Sequence, residues 1–157
     1  MLLHLQYTLR ENETMMEKLG FLIGRWNLDY RIPQSRFSHA TTGSGEGTFR
    51  RAVHDKVILF DYTCLIEGEK GAAHGVFAWD EKVSLFRYWW FESSGATDSA
   101  SCNLIDDSTL YMNWHNSVLR QTFRKIDDDT VVLHMDHPNA DGDYDLVLEV
   151  ILNRKPS

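Results

Sequence analysis

A chain of 157 residues, 43% hydrophobic and 25% charged, is the size of one domain, which buries roughly 70% of the surface its unfolded form exposes. The net charge of -7 and a pI near 5.4 argue against a nucleic-acid partner, because phosphate binding needs a clustered basic face. No apolar run approaches the ~20 residues of a membrane span and no charged leader precedes an apolar stretch, so no membrane partner and a cytoplasmic address are expected.

Taken in chain order, residues 2–10 alternate, with Leu3, Leu5, Tyr7 and Leu9 on one side and polar residues on the other. This predicts a strand-like arm over 1–11, suited to pairing with a second copy in a homodimer, ahead of a single barrel domain over 12–157. Thr14-Met15-Met16-Glu17 reads as a capping box that starts a short helix, stopped by Gly20. Its apolar residues Met15, Met16 and Leu19, continued by Phe21, Leu22 and Ile23, suit a plug at one end of a barrel.

From Trp26 onward, turn signals recur every ~8 to 12 residues and predict about ten strands. They fall near 25–33, 45–54, 57–67, 74–80, 84–92, 97–105, 109–115, 118–126, 130–137 and 144–154. The connections are too short for crossover helices, so the sheet is expected to be antiparallel, and closing it into a barrel removes its edges. Gly43-Ser44-Gly45-Glu46-Gly47 feeds a strand, not a helix, and is expected to be a flexible hairpin entry instead of a phosphate cradle. Cys64 and Cys102 are too few for a disulfide scaffold and are expected to be reduced.

Strand parity then sorts inside from outside. Trp26, Leu28 and Tyr30 are expected to face inward, as are Ile58, Phe60, Tyr62, Cys64 and Ile66. Phe86, Tyr88, Trp90 and Glu92 are chosen over Leu85, Arg87, Trp89 and Phe91, and Tyr144, Leu146, Leu148, Val150 and Leu152 over their alternates. In 118–126 neither face is cleanly apolar. Facing Arg120 inward makes it a buried cation, with Glu92 as its internal partner, and a candidate to hold a polar head group.

The best cluster of candidate ligating residues is His134-Met135-Asp136-His137, in which His134 and Asp136 share one face of a strand. Two ligands make no metal site, and His115 or His74 would have to complete it, so no metal and no cofactor are expected. His134 and Asp136, or Glu92, remain candidates for proton transfer in an isomerase or hydrolase. There is no Gly-x-Ser-x-Gly elbow for acyl transfer. The stripe of Trp79, Tyr88, Trp89, Trp90, Phe91 and Trp114 lacks the basic interleaving of a base-stacking surface and reads as barrel core and cavity wall.

Gly24-x-Trp26 at the head of the first barrel strand, Arg154 at the end of the last, and the meander between them resemble the calycin superfamily of lipocalins and fatty-acid-binding proteins. Segments including Leu19 to Trp26, Gly75 to Asp80, Tyr88 to Gly95 and Asn153-Arg154 look like a bacterial lipocalin-like domain family of unknown function. The resemblance implies that Arg154 packs across Trp26 as a structural pair, and that the barrel holds a small apolar or amphipathic ligand. Tyr30, Tyr62, Tyr88, Trp90, Arg120 and His134 are the residues expected to line that site. The haem-binding nitrobindins are similar in shape and use a histidine ligand near the C-terminal end; here the last strand has none, and Leu28 replaces the further glycine of their opening motif.

Overall fold

The computed structural model describes residues 11–157, and the arm expected over 1–11 lies almost wholly outside them. Ten antiparallel strands run as β1 (Gly24–Ile32), β2 (Thr41–Ala52), β3 (Val57–Ile66), β4 (Glu69–Asp80), β5 (Leu85–Glu92), β6 (Thr97–Asp106), β7 (Thr109–Trp114), β8 (Arg120–Asp127), β9 (Thr130–Pro138) and β10 (Tyr144–Arg154). Each pairs with the next, and β1 pairs with β10 from Trp26↔Arg154 to Arg31↔Glu149, which closes the barrel. Closure satisfies backbone groups that an open sheet would leave as edges.

Residues 11–17 are helical and Gly20–Leu22 form a 3₁₀ turn. Thr14 therefore lies inside the helix instead of capping it. Met16, Leu19 and Leu22 are almost fully buried in the core, with Met15, Phe21 and Ile23 packed beside them, so the segment seals one end of the barrel. Lys56 Nζ, in the β2–β3 turn, bonds Glu13 Oε1 at 3.0 Å and ties the helix to that end.

The glycine–tryptophan motif has a direct physical reason. The Trp26 indole donates to the Leu22 carbonyl at 2.8 Å, and the Arg154 guanidinium lies 4.2 Å from the indole ring centroid. Arg154 also donates to the Ile23 carbonyl at 2.7 Å and the Asp128 carbonyl at 2.9 Å, so one side chain joins the helix exit to the β8–β9 turn. Gly24 has φ of 137°, a conformation open to glycine, and a Cβ there would sit 2.3 Å from Arg154 Nη1.

Three irregularities interrupt the ladders, between Leu104 and Asp106, between Lys125 and Asp127, and between Leu146 and Leu148. The third corrects the expected parity of the last strand. Leu148, Val150 and Leu152 face inward, but the bulge at Val147 turns Leu146 opposite Asp136 and leaves Tyr144 on the outer wall. Gly43 to Gly47 also depart from expectation. They lie within β2 instead of forming a flexible entry, and Gly45 and Gly47 pair with Leu28 and Trp26 of β1.

Candidate functional site

At the end sealed by the helix, Trp26, Phe49, Ile58, Phe77, Phe86, Leu110, Met112 and Phe123 fill the barrel, each no more than 1% exposed. At the opposite end the interior is hollow, with a cavity of about 460 Å³. That is within the range of pockets for small organic ligands. The difference arises at inward positions: β2 presents Gly43, Gly45 and Gly47 before Phe49, and β4 presents Gly71, Ala73 and Gly75 before Phe77. Aromatic rings lie against Gly45, Gly47 and Gly75; a Cβ on Gly75 would sit 2.0 Å from Tyr88 Oη, and one on Gly47 2.9 Å from the Phe60 ring.

The wall is apolar, formed by residues such as Leu28, Ile32, Phe60, Ile66, Leu119, Leu133, Met135, Leu148 and Val150. A few polar groups are set into it. Trp90 Nε1 donates to Tyr62 Oη at 2.7 Å, which leaves the Tyr62 hydroxyl proton available to a ligand. Tyr30 donates to the Thr63 carbonyl at 3.1 Å. Trp114 Nε1 donates to Gln121 Oε1 at 3.3 Å; an indole can only donate, so the Gln121 oxygen is fixed as acceptor and its NH₂ is the remaining donor.

Burial pushes the Tyr62 phenol up to about 12, and pushes Tyr30 and Tyr88 upward by the same cause; neighbouring Tyr62 adds to the shift in both. These three residues remain neutral hydroxyls through the physiological range. Cys102, buried on the same wall nearer the sealed end, is likewise held as a thiol by desolvation. Both cysteines are free.

Tyr30, Tyr62, Tyr88 and Trp90 all line the cavity; Arg120 and His134 do not. The inward face of β8 carries Gln121 and Phe123, with Leu119 just before it also lining the cavity, and Arg120 lies outside, 3.2 Å from Asp136 Oδ2 and 3.6 Å from the centroid of the Tyr144 ring. The partner expected for it, Glu92, instead accepts from Ser94 Oγ at 2.9 Å in the β5–β6 turn. The reason is desolvation: facing Arg120 and Arg124 inward would bury two cations, whereas the alternate parity brings in the neutral amide of Gln121, and its one cation, Lys125, reaches Asp128 in the following turn at 3.2 Å.

His134 also faces outward, 2.7 Å from Glu149 Oε2, and the other oxygen of that carboxylate, Oε1, is 3.5 Å from Arg31 on the next strand. His134 and Asp136 therefore serve different partners, Glu149 and Arg120, instead of forming a proton-transfer pair. His74 bonds Asp61, and His115 bridges the hydroxyls of Ser99 and Ser101 at 2.7 Å each, so these histidines do not converge. Trp89 and Phe91, counted in the aromatic wall by sequence, are 42% and 49% exposed. Among the described residues no histidine lines the cavity, so this donor set does not fit a histidine-ligated haem.

Sequence reasoning missed Trp114's partner Gln121 and, more consequentially, Asp98, which lines the cavity near its mouth. A signal for it existed. Asp98 shares parity with Ala100 and Cys102, both fully buried.

No protein-family model matches this chain, and no curated protein matches it in sequence. Solved structures do match in fold. The crystal structure of Rv2717c from M. tuberculosis aligns with a TM-score of 0.64 at 12% identity, over 90% of this chain and 97% of that one. The S-type phycobiliprotein lyase CPES from Guillardia theta aligns with a TM-score of 0.57 at 12% identity, over 92% and 93% of the two chains. No described helix is long and apolar enough to cross a membrane. With ten strands closed in sequential order, a helix sealing one end and Arg154 across Trp26, the chain has a lipocalin-like up-and-down barrel fold.

Proposed function

We propose that this protein binds one small, largely apolar molecule inside the barrel. The observation that carries this reading is the half-filled interior: inward glycines and tyrosines stand where the sealed end has close-packed phenylalanines. Apolar walls supply the driving force, roughly 25 cal/mol per Å² of ligand surface removed from water before the costs of association. Tyr62 and Gln121 supply donors that orient an acceptor on the ligand, and Tyr30 and Tyr88 complete the polar side of the pocket. Trp90 and Trp114 lie in the wall, so their fluorescence reports occupancy.

Titration with the neutral fluorophore N-phenylnaphthylamine tests the reading. The expected result is a saturable rise in probe emission with quenching of tryptophan, weakened about tenfold or more in a cavity-filling Leu148→Trp variant that keeps its folding cooperativity. Probe emission that never saturates, or that Leu148→Trp leaves unchanged, overturns it.

A further inference from the structure

Among the described residues, the cavity lining includes a carboxylate, Asp98, and no Lys, Arg or His. Asp98 is not a stray surface acid. Its Oδ1 accepts from the Ser99 amide at 2.7 Å, the Asn116 amide at 3.2 Å and Asn116 Nδ2 at 3.0 Å. Three donors on one oxygen fix the orientation of the group and leave its other oxygen to a ligand. Among the described residues, no cation forms an ion pair with it.

Two indoles stand beside this carboxylate. Asp98 pairs across the sheet with Trp90, and Trp90 meets Trp114 edge to face, with centroids 5.9 Å apart and planes at 71°. Both rings line the same cavity. A fixed carboxylate next to aromatic faces, at the end of an apolar pocket, is the chemistry that receives an organic cation. The carboxylate neutralises the charge, the ring quadrupoles attract it, and the apolar wall takes the rest of the molecule. Glu92 adds negative charge on the same side; it lies two residues beyond Trp90 on the inward parity and acts electrostatically on Tyr62. A fatty carboxylate would meet this arrangement with like charge and without a counter-ion.

We infer that the ligand of this barrel is a monocation: a molecule with an apolar body held by the cavity and one protonated amine or quaternary ammonium held by Asp98 beside Trp90 and Trp114. The inference rests on the ligand-binding reading above and specifies the ligand's charge.

Three probes sharing one apolar body, decylamine, decanol and decanoate, separate the two ideas. Each is titrated by calorimetry and tryptophan fluorescence into the wild type, Asp98→Asn and Ser117→Lys. Ser117 also lines the cavity, so its lysine adds positive charge near the mouth while leaving Asp98 and its three donors intact. In the wild type, decylamine is expected to bind about tenfold or more tightly than decanol, with decanoate weakest. Asp98→Asn should bring decylamine down to the affinity of decanol without changing decanol itself, and Ser117→Lys should lower decylamine selectively. Equal affinity for amine and alcohol in the wild type, or an amine preference that survives both variants, overturns the cation assignment while decanol binding leaves the cavity reading standing. Failure of all three probes to bind overturns both.

Discussion

The two ends of this barrel are built on the same ten strands and differ in what those strands carry inward. In β2 the inward sequence is Gly43, Gly45, Gly47 and then Phe49; in β4 it is Gly71, Ala73, Gly75 and then Phe77. Where the series reaches phenylalanine, rings interlock: Phe49 stacks on Phe60 at 3.7 Å between centroids, and Phe123 meets Phe49 edge to face at 6.0 Å. At Gly45, Gly47 and Gly75 the ring of a neighbouring strand folds over the gap, and the centre stays open. Stability and binding capacity are thus divided along the barrel axis, one end close-packed and the other hollow.

Truncating side chains at each end breaks that comparison most strongly. Trp26→Ala removes a fully buried indole, its bond to Leu22 and the surface on which Arg154 lies, and is expected to destabilise the fold by about 3–5 kcal/mol. Leu148→Ala, which only enlarges an existing cavity, is expected to cost about 1 kcal/mol. Urea unfolding of the two variants measures both; equal losses would mean that the ends are packed alike.

A smaller effect is expected at the boundary between the ends. In Gly75→Ala the new methyl must push the Tyr88 ring off β4, with an expected loss of about 1–3 kcal/mol and weaker probe binding, because the ring moves into the cavity. A variant as stable and as receptive as the wild type would show that the glycine is not what seats the ring.

At neutral pH the smallest effect comes from the phenols. Folding raises the affinity of Tyr62 for its proton from 10.0 to about 12, and raises Tyr30 and Tyr88 in the same direction. The unfolded chain therefore loses these protons first. Their contribution to stability is intact below about pH 10 and declines as pH rises toward 12. Unfolding free energies at pH 7, 9 and 11 should be level and then fall, with a shallower fall in Tyr62→Phe; an identical slope in that variant would remove Tyr62 from the explanation.

Much of the site was legible in the sequence wherever alternation ran unbroken. Tyr30 on β1, Tyr62 on β3 and Tyr88 with Trp90 on β5 all line the cavity because an uninterrupted strand has only two faces, and one was clearly apolar. The parity failed where that condition lapsed. Leu146, Val147 and Leu148 are consecutive apolar residues, so nothing in the pattern marks the bulge that puts Tyr144 and Leu146 outside. Arg120 was misread because β8 mixes charge and apolar residues on both faces. Asp98 was passed over because the polar start of β6, Thr97-Asp98-Ser99, gives weak alternation.

By itself the sequence determined the strand meander and the sealing segment at its head, through local periodicity and turn chemistry, and its resemblance to the calycin pattern implied the pairing of Trp26 with Arg154 that joins the first and last strands. Only the tertiary structure decided how full the barrel is, which carboxylate enters it and where the arginines and His134 go. Those outcomes depend on the sum of side-chain volumes across ten strands, and on single-residue bulges that reverse a face without leaving a trace in the period.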